Sequence, residues 1–228
     1  MKIALQQVLH TAELKQIKVH LDNAPWEDGR SSAGQQAKLV KANLQLKKHS
    51  HADTEIQSIV LAGLHRHPLF HSAALPRKIL RPRINRYDAE YPSYGKHIDN
   101  ALRIESGSTQ DYVRTDVSCT VFLNSPTEYD GGELILEDPF HRQSIKLNAG
   151  DAILYPGNTV HEVTPVTRGY RHACFLWIQS FVRSSDQRSM LHQLDTSLIQ
   201  LRERHGETKE SVELTGLYHN LLREWSDT

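Results

Sequence analysis

His97, Asp99 and His161 carry side chains that can bind a metal ion. In a His-x-Asp sequence on an extended strand, the two side chains lie on the same face, because side chains alternate with a period of two. The distant His161 adds a second imidazole. Two imidazoles and one carboxylate form the facial triad that holds non-haem Fe(II) and leaves coordination positions open. The three residues therefore predict an oxygen-activating iron centre.

Arg171 is the fourth residue whose position could do chemistry. On the strand predicted to begin there, its side chain shares a face with Ala173, Phe175 and Trp177. A cation among apolar neighbours needs an anion, since an unpaired buried charge is costly. A guanidinium can bind a carboxylate through two parallel hydrogen bonds, so Arg171 predicts a carboxylate-bearing co-substrate. The alternative is a structural ion pair with a nearby acidic residue.

The elements that must position these residues are short strands bounded by turn signals. Turns are predicted at Asp130-Gly131-Gly132, Asn148-Ala149-Gly150 and Pro156-Gly157-Asn158. About eight strands with no helix between them predict a double-stranded β-helix, which is a jelly-roll or cupin-like core. The predicted strands are Ile79–Tyr87, Gly95–Asp99, Val117–Leu123, Glu133–Leu136, Ser144–Leu147, Ala152–Tyr155, Val160–Val163 and Arg171–Phe181.

Helices are predicted on both sides of this core, so the expected class is mainly β with flanking helices (α+β). Residues 1–77 form a mixed helical and strand region, with helices capped by Thr11 and Ser50 and a loop from Trp26 to Gln36. Residues 78–182 form the core. Residues 183–228 form a helical tail of two amphipathic helices, the first stopped by Gly206. The tail is expected either to pack on the barrel or to form a homodimer interface.

Composition excludes several classes of function. Lys+Arg and Asp+Glu both number 27, so no overall basic field would attract nucleic acid. The apolar stretch from Ile59 to Leu64 is too short to span a membrane. The two cysteines, Cys119 and Cys174, lie in strand-like apolar runs and are interpreted as buried thiols, which favours a cytoplasmic location.

Several sequence blocks resemble a known family. The chain resembles the Fe(II)- and 2-oxoglutarate-dependent dioxygenases of the prolyl-4-hydroxylase type, and most closely the bacterial PKHD-type hydroxylases. The motifs in the helical tail, residues 183–228, narrow this resemblance to the PKHD type. The blocks that carry it are Arg86-Tyr87, His97-x-Asp99-Asn100-Ala101, Tyr129-Asp130-Gly131-Gly132-Glu133-Leu134, Gly157-Asn158-Thr159-Val160-His161-Glu162-Val163, Gly169-Tyr170-Arg171, Arg204-His205-Gly206 and Leu214-Thr215-Gly216-Leu217-Tyr218-His219-Asn220-Leu221-Leu222.

The resemblance implies a role for each candidate residue. His97, Asp99 and His161 would bind Fe(II), Arg171 would bind the far carboxylate of 2-oxoglutarate, and Tyr87 would contact the same co-substrate. Dioxygen and L-ascorbate are the other expected reactants. The implied reaction hydroxylates a peptide, an amino acid or a siderophore-like small molecule, and releases succinate and carbon dioxide. The alternative is a non-catalytic cupin-like protein that binds or senses a metal.

Two other features leave alternatives open. The segment from Glu105 to Arg114 is either a lid over the substrate or an ordinary surface loop. His67 and His71 fall on one helical face and could bind a second metal ion, although no cysteine or carboxylate lies near them in the sequence. The solvated end of a helix is the interpretation favoured for these two histidines.

Overall fold

The structure is a computed structural model that describes residues 1–104 and 112–227. In the described ranges, six α-helices flank the strands: α1 (Thr11–Asp22), α2 (Gln35–Leu39), α3 (His51–Arg66), α4 (Pro68–Ala74), α5 (Ser185–His205) and α6 (Lys209–Trp225). One turn of 3₁₀-helix covers Gly29–Ser32. Lys78, where the core was predicted to begin, lies in a strand that directly follows α4.

Seventeen strands, counted over the described residues, form two facing sheets and two short ribbons. They are β1 (Ile3–Leu5), β2 (Trp26–Asp28), β3 (Lys41–Ala42), β4 (Leu44–Leu46), β5 (Pro76–Ile79), β6 (Arg83–Tyr87), β7 (Ser93–His97), β8 (Leu102–Ile104), β9 (Tyr112–Arg114), β10 (Val117–Phe122), β11 (Tyr129–Gly131), β12 (Leu134–Asp138), β13 (His141–Ile145), β14 (Ala152–Pro156), β15 (Val160–Val163), β16 (Val166–Gly169) and β17 (Arg171–Ser180).

The two sheets form the predicted double-stranded β-helix. The major sheet has the order β1-β14-β10-β17-β6-β4-β2, with β5 paired to the far end of β17. The minor sheet has the order β13-β12-β15-β7-β3. Neighbouring strands in both sheets are antiparallel, which fits a core in which no helix separates consecutive strands.

Alternation along β17 separates a dry core from a cavity. Cys174, Leu176 and Ile178 face the larger hydrophobic core, which is completed by α3. Arg171 and Trp177 line the space between the two sheets. Both cysteines are free and buried, as expected for small core side chains.

Residues 1–77 supply several short strands to the two sheets, one of them in a segment predicted to be a loop. β1 pairs with β14 and β4 with β6, so both edges of the major sheet come from this region, while β3 extends the minor sheet along β7. The loop predicted from Trp26 to Gln36 is wrong, because β2, the 3₁₀ turn and part of α2 occupy it. These elements are too short to produce a periodic pattern, and pairing partners far along the chain stabilise them.

The helix caps mostly follow the sequence signals. Ser50 caps α3, since its side chain accepts a hydrogen bond from the Asp53 amide at 3.2 Å. Helix α5 ends at Gly206, whose φ of 69° suits glycine. The prediction for α1 is wrong by one residue, because His10 and not Thr11 is the N-cap.

The C-terminal helices pack on the barrel. Arg188 of α5 is buried and its guanidinium donates to the carbonyl oxygens of Val182 and Arg183 at 2.7 Å, and to that of Asp116 at 3.3 Å. Helix α6 packs against α5 and buries only Ser211 fully. Within the described ranges, no helix is both long enough and apolar enough to cross a membrane.

Replacement of Ser50 by alanine tests the cap of α3. The variant Ser50→Ala is expected to lose about 1 kcal/mol of unfolding free energy, because the Asp53 amide loses its acceptor. Urea denaturation followed by circular dichroism measures this loss. The matched control is Ser58→Ala, at an exposed position of the same helix, which is expected to leave stability unchanged or slightly raised. Equal midpoints for the two variants would refute the capping role.

Candidate metal centre and cavity

The side chains of His97, Asp99 and His161 converge between the two sheets. One ligand atom from each lies within 4.8 Å of the others, and Nε2 of His161 is 3.8 Å from Oδ2 of Asp99. The two imidazole centroids are 4.2 Å apart, because His97 and His161 are directly opposite each other on the paired strands β7 and β15. In the described part of the chain, no other group of three such side chains has this arrangement.

Each histidine is held in the tautomer that a metal requires. Nδ1 of His97 lies 2.8 Å from the carbonyl oxygen of Gly95, and Nδ1 of His161 lies 2.9 Å from that of Thr159. When Nδ1 donates its proton to these carbonyls, the lone pair of Nε2 is available for a metal. Burial and the nearby His161 lower the pKa of His97 to about 4, so this ring is neutral at physiological pH.

A β-bulge in β7 places a tyrosine beside the ligands. The register passes from His161 opposite His97 to Val163 opposite Tyr94, so β7 has one extra residue. Without that bulge, Tyr94 and His97 would lie on opposite faces. The ring of Tyr94 stacks on His97 with centroids 3.6 Å apart and therefore restricts the rotation of the imidazole.

Asp99 lies just beyond the end of β7, and not on the strand as predicted. Its carboxylate is held from the opposite sheet, since Oγ of Ser118 on β10 donates to Oδ2 at 2.7 Å. That bond orients the carboxylate toward the two imidazoles. Ser118 was not predicted from the sequence, where its only signal is a polar side chain in a strand otherwise rich in apolar residues.

Arg171 is fully buried at the base of the same space. Its exposed fraction is 2%, and its Nε and Nη2 atoms have no hydrogen-bond partner among the described residues. The guanidinium carbon lies 5.2 Å from the ring centroid of Tyr87 and 5.4 Å from that of Phe122. No ion pair with a described acidic side chain satisfies Arg171, so the structural alternative gains no support.

Two tyrosines lie beside Arg171. Tyr87 is directly opposite it on β6, is fully buried, and its hydroxyl accepts a hydrogen bond from Nδ2 of Asn85 at 3.2 Å. The hydroxyl of Tyr129 is buried without a partner in the described chain. Burial raises the pKa of both phenols, so both remain protonated donors. The sequence analysis identified Tyr87 but not Tyr129.

Glycine at position 132 makes room for this arrangement. Its φ is +67°, and a Cβ there would lie 2.9 Å from Cδ of Arg171 and 3.1 Å from Cε2 of Tyr129. A larger residue would therefore push the guanidinium and the phenol out of place. Glycine at position 132 is therefore needed both for the Asp130-Gly131-Gly132 turn and for the packing of Arg171 and Tyr129.

The ligands and Arg171 open into one cavity of about 710 Å³. Its walls also include Lys41 and Arg103, neither of which was predicted from the sequence to line the site. Lys41 reaches the cavity from β3 and Arg103 from β8.

Two other predictions from the sequence were a lid from Glu105 to Arg114 and a second metal site at His67 and His71. Most of the predicted lid, residues 105–111, lies outside the described residues, whereas Tyr112–Arg114 form β9. The second metal site gains no support, because Nε2 of His67 contacts the carbonyl oxygen of Gln6 and Nε2 of His71 that of His65. In each histidine, Nε2 is thereby engaged with a backbone carbonyl.

Comparison with known sequences identifies two family regions. A model described as the 2OG-Fe(II) oxygenase superfamily matches residues 82–179, and one described as the PKHD-type hydroxylase C-terminal domain matches residues 186–227. Two similar relatives are PKHD-type hydroxylases. One, from Verminephrobacter eiseniae, is 51% identical, and one, from a Polaromonas species, is 52% identical. Both matches cover 100% of this chain and 100% of the relative.

Comparison with solved structures supports the same fold. An oxidoreductase of the 2OG-Fe(II) oxygenase family from Burkholderia pseudomallei superimposes with a TM-score of 0.53 at 19% identity. The match covers 78% of this chain and 84% of that protein. The family implies Fe(II) and 2-oxoglutarate, and a His-Asp-His cluster of the matching donor types is present. The chain belongs to the PKHD-type hydroxylases and is a 2-oxoglutarate-dependent non-haem iron dioxygenase whose substrate is not identified.

Proposed function

We propose that His97, Asp99 and His161 hold the Fe(II) of this hydroxylase. The donor set of two imidazoles and one carboxylate suits Fe(II). Three observations support the assignment: the ligand atoms converge, both Nδ1 atoms face backbone carbonyls, and Ser118 orients the carboxylate. Hydrogen bonds to the outer side of the ligands are typical of metal centres.

Arg171 binds the far carboxylate of 2-oxoglutarate in this proposal. The observation that carries it is a fully buried guanidinium whose Nε and Nη2 atoms, like the nearby hydroxyl of Tyr129, have no hydrogen-bond partner among the described residues. One carboxylate would satisfy these donors and neutralise the buried charge. Tyr87 supports the guanidinium through its ring and forms a second wall of the co-substrate site.

Bound iron and 2-oxoglutarate supply the oxidising power for hydroxylation, with succinate and carbon dioxide as the other products. The chain's own residues provide position and shelter. Tyr94 and Ser118 hold His97 and Asp99 in place, and Arg171 aligns the co-substrate from the opposite sheet. The buried walls of the cavity limit the access of water.

Two further assignments complete the proposal. L-ascorbate maintains the iron in its reduced state, and the enzyme acts in the cytoplasm, where the free thiols of Cys119 and Cys174 would persist. The alternative from the sequence, a protein that only binds or senses a metal, gains no support, because the relatives are hydroxylases. A metal store also needs no carboxylate site, whereas buried nitrogen atoms of Arg171 have no partner among the described residues.

Release of succinate tests the role of the iron ligands. Protein supplied with Fe(II), ascorbate and 2-oxoglutarate under air is expected to form succinate, and candidate substrates should increase the rate. His97→Ala is expected to reduce this rate at least about 100-fold, because loss of even an outer partner of a ligand lowers activity by about 10–100-fold. His141→Ala removes an exposed histidine of β13 and is the matched control. Equal rates in both variants would exclude the metal assignment.

Replacement of Arg171 separates co-substrate binding from metal binding. Arg171→Met is expected to weaken 2-oxoglutarate binding about 100-fold, since charge-assisted hydrogen bonds contribute about 1.5–3 kcal/mol each. Fe(II) affinity should change little. Calorimetric titrations under argon measure the two affinities separately. Arg168→Met, at an exposed ion pair with Asp130, is the matched control. Equal losses of Fe(II) and 2-oxoglutarate affinity in Arg171→Met would contradict the carboxylate role.

We also propose a homodimer formed through α5 and α6. Support comes from apolar side chains that remain exposed on these helices after they pack on the barrel: Met190, Ile199, Val212, Leu214 and Leu217. The alternative from the sequence, a purely intramolecular role for the tail, is supported by the burial of Arg188 and Leu191 of α5.

Light scattering of the full chain distinguishes these roles. A dimer is expected at twice the 26.0 kDa mass of one chain, and Leu217→Glu should shift the mass toward the monomer. Val19→Glu, at an exposed apolar position of α1, is the matched control and should leave the mass unchanged. A wild-type mass of 26.0 kDa would exclude the dimer.

A further inference from the structure

Positive charge is concentrated around the cavity, although the whole chain has a formal net charge of zero. A second cavity of about 830 Å³ adjoins the first and shares Ser32, Arg103, Phe175 and Trp177 with it. Counted over the described residues, the walls of both contain six Lys or Arg side chains and two carboxylates. The cations are Lys41, Lys48, Arg81, Arg83, Arg103 and Arg171, and the carboxylates are Asp53 and Asp99. Assigning Arg171 to the co-substrate and Asp99 to iron leaves five cations and one carboxylate.

Lys41 is the buried member of this group. Its exposed fraction is 5%, and it lies opposite Tyr94 in the pairing of β3 with β7. Its Nζ atom donates to Oγ of Ser32 at 2.9 Å and lies 4.9 Å from the ring centroid of Tyr94, the ring that stacks on His97. An ammonium has three N–H donors, so Lys41 keeps donors for a ligand.

In the described part of the chain, no carboxylate forms an ion pair with Lys41, whose Nζ atom donates to Ser32. Burial, and then the charges of Arg103 and Arg83, lower the pKa of Lys41 to about 7. Asp99 and then Asp28 oppose this lowering of the pKa, and their effects are smaller. A buried cation in such surroundings is stabilised when an anion binds beside it.

Arg103 faces the same part of the cavity and is held rigidly. Its guanidinium carbon lies 3.7 Å from the ring of Trp177, and Nη2 donates to the carbonyl oxygen of Ser32 at 3.2 Å. Stacking on the ring orients the guanidinium plane and leaves N–H groups at its edge. Lys41 and Arg103 therefore both contact Ser32 and form one cationic site.

We propose that Lys41 and Arg103 bind a carboxylate of the primary substrate, which is a carboxylic acid with an apolar portion. The proposal rests on the proposed function, since it places the substrate in the same cavity as the iron and 2-oxoglutarate. Phe175 and Trp177 line the cavity next to Arg103 and provide apolar contact. Lys41 contacts the ring of Tyr94, which in turn stacks on His97, so a carboxylate bound to Lys41 would lie close to the proposed metal centre.

The same cations are not required for 2-oxoglutarate. Its far carboxylate has Arg171 on β17, in the major sheet, whereas Lys41 belongs to β3 at the edge of the minor sheet. A planar guanidinium next to an ammonium suits a carboxylate, which accepts two parallel hydrogen bonds. The free acid could belong to a small molecule or to the C-terminus of a peptide.

Paired probes with and without the charge test this assignment. The probes are N-acetyl amino acids with apolar side chains, each compared with its carboxamide, and a heptapeptide ending in leucine as acid and as amide. Binding to the enzyme loaded with Fe(II) and 2-oxoglutarate under argon is followed by fluorescence, because Trp177 lies under Arg103. At least one acid is expected to bind about tenfold or more tightly than its amide. The small acids and the peptide distinguish the two sources of carboxylate.

Variants of the cations provide the second measurement. Lys41→Met and Arg103→Met should abolish the preference for acid over amide, while 2-oxoglutarate affinity stays as in wild type. Lys96→Met is the matched control, since this exposed lysine of β7 pairs with Glu137 outside the cavity. If no acid binds more tightly than its amide in wild type, the proposal is wrong. If Lys41→Met weakens 2-oxoglutarate binding as much as Arg171→Met does, Lys41 binds the co-substrate and the proposal is also wrong. Failure of the proposed function itself appears separately, as absence of 2-oxoglutarate binding or of succinate.

Discussion

Alternation of side chains along β17 is the constraint on which the rest of the molecule depends. This strand pairs with β10 on one side and with β6 and β5 on the other, so it cannot shift without breaking the major sheet. One face contributes Cys174, Leu176 and Ile178 to the hydrophobic core. The other face presents Arg171 and Trp177 to the cavity. A slip by one residue would bury the cavity face in the core and move Arg171 away from His97, Asp99 and His161.

Two of the candidate metal ligands lie on the minor sheet and the third lies just beyond the end of one of its strands. Pairing of β7 with β15 brings His97 opposite His161, and a bulge then turns Tyr94 to the same side. Backbone carbonyls orient both rings, whereas Asp99 depends on Ser118 of the major sheet. The metal centre therefore joins the two sheets, and both must be formed before the three ligands can converge.

Buried positive charge is the main electrostatic feature of the cavity. Arg171 has no described anion partner, and Lys41 has a lowered pKa among other cations, so two separate positions in one cavity would be stabilised by anions. Gly132 leaves space for the side chain of Arg171. The guanidinium of Arg103 stacks on the ring of Trp177. The electrostatic field around the iron site comes from residues spread over both sheets and the N-terminal region, in a chain with no net charge.

The sequence by itself determined the features that depend on local order. The types and spacing of His97, Asp99 and His161 identified the donor set, and period-two alternation assigned Arg171 to a face with Ala173, Phe175 and Trp177. The core strands and the caps at Ser50 and Gly206 also follow local signals. Only the tertiary structure decided the bulge at Tyr94, the contact of Ser118 with Asp99 and the meeting of Lys41 with Arg103. The physical reason is that alternation and capping act between near neighbours, whereas these contacts join strands whose register is set by the packing of the whole barrel.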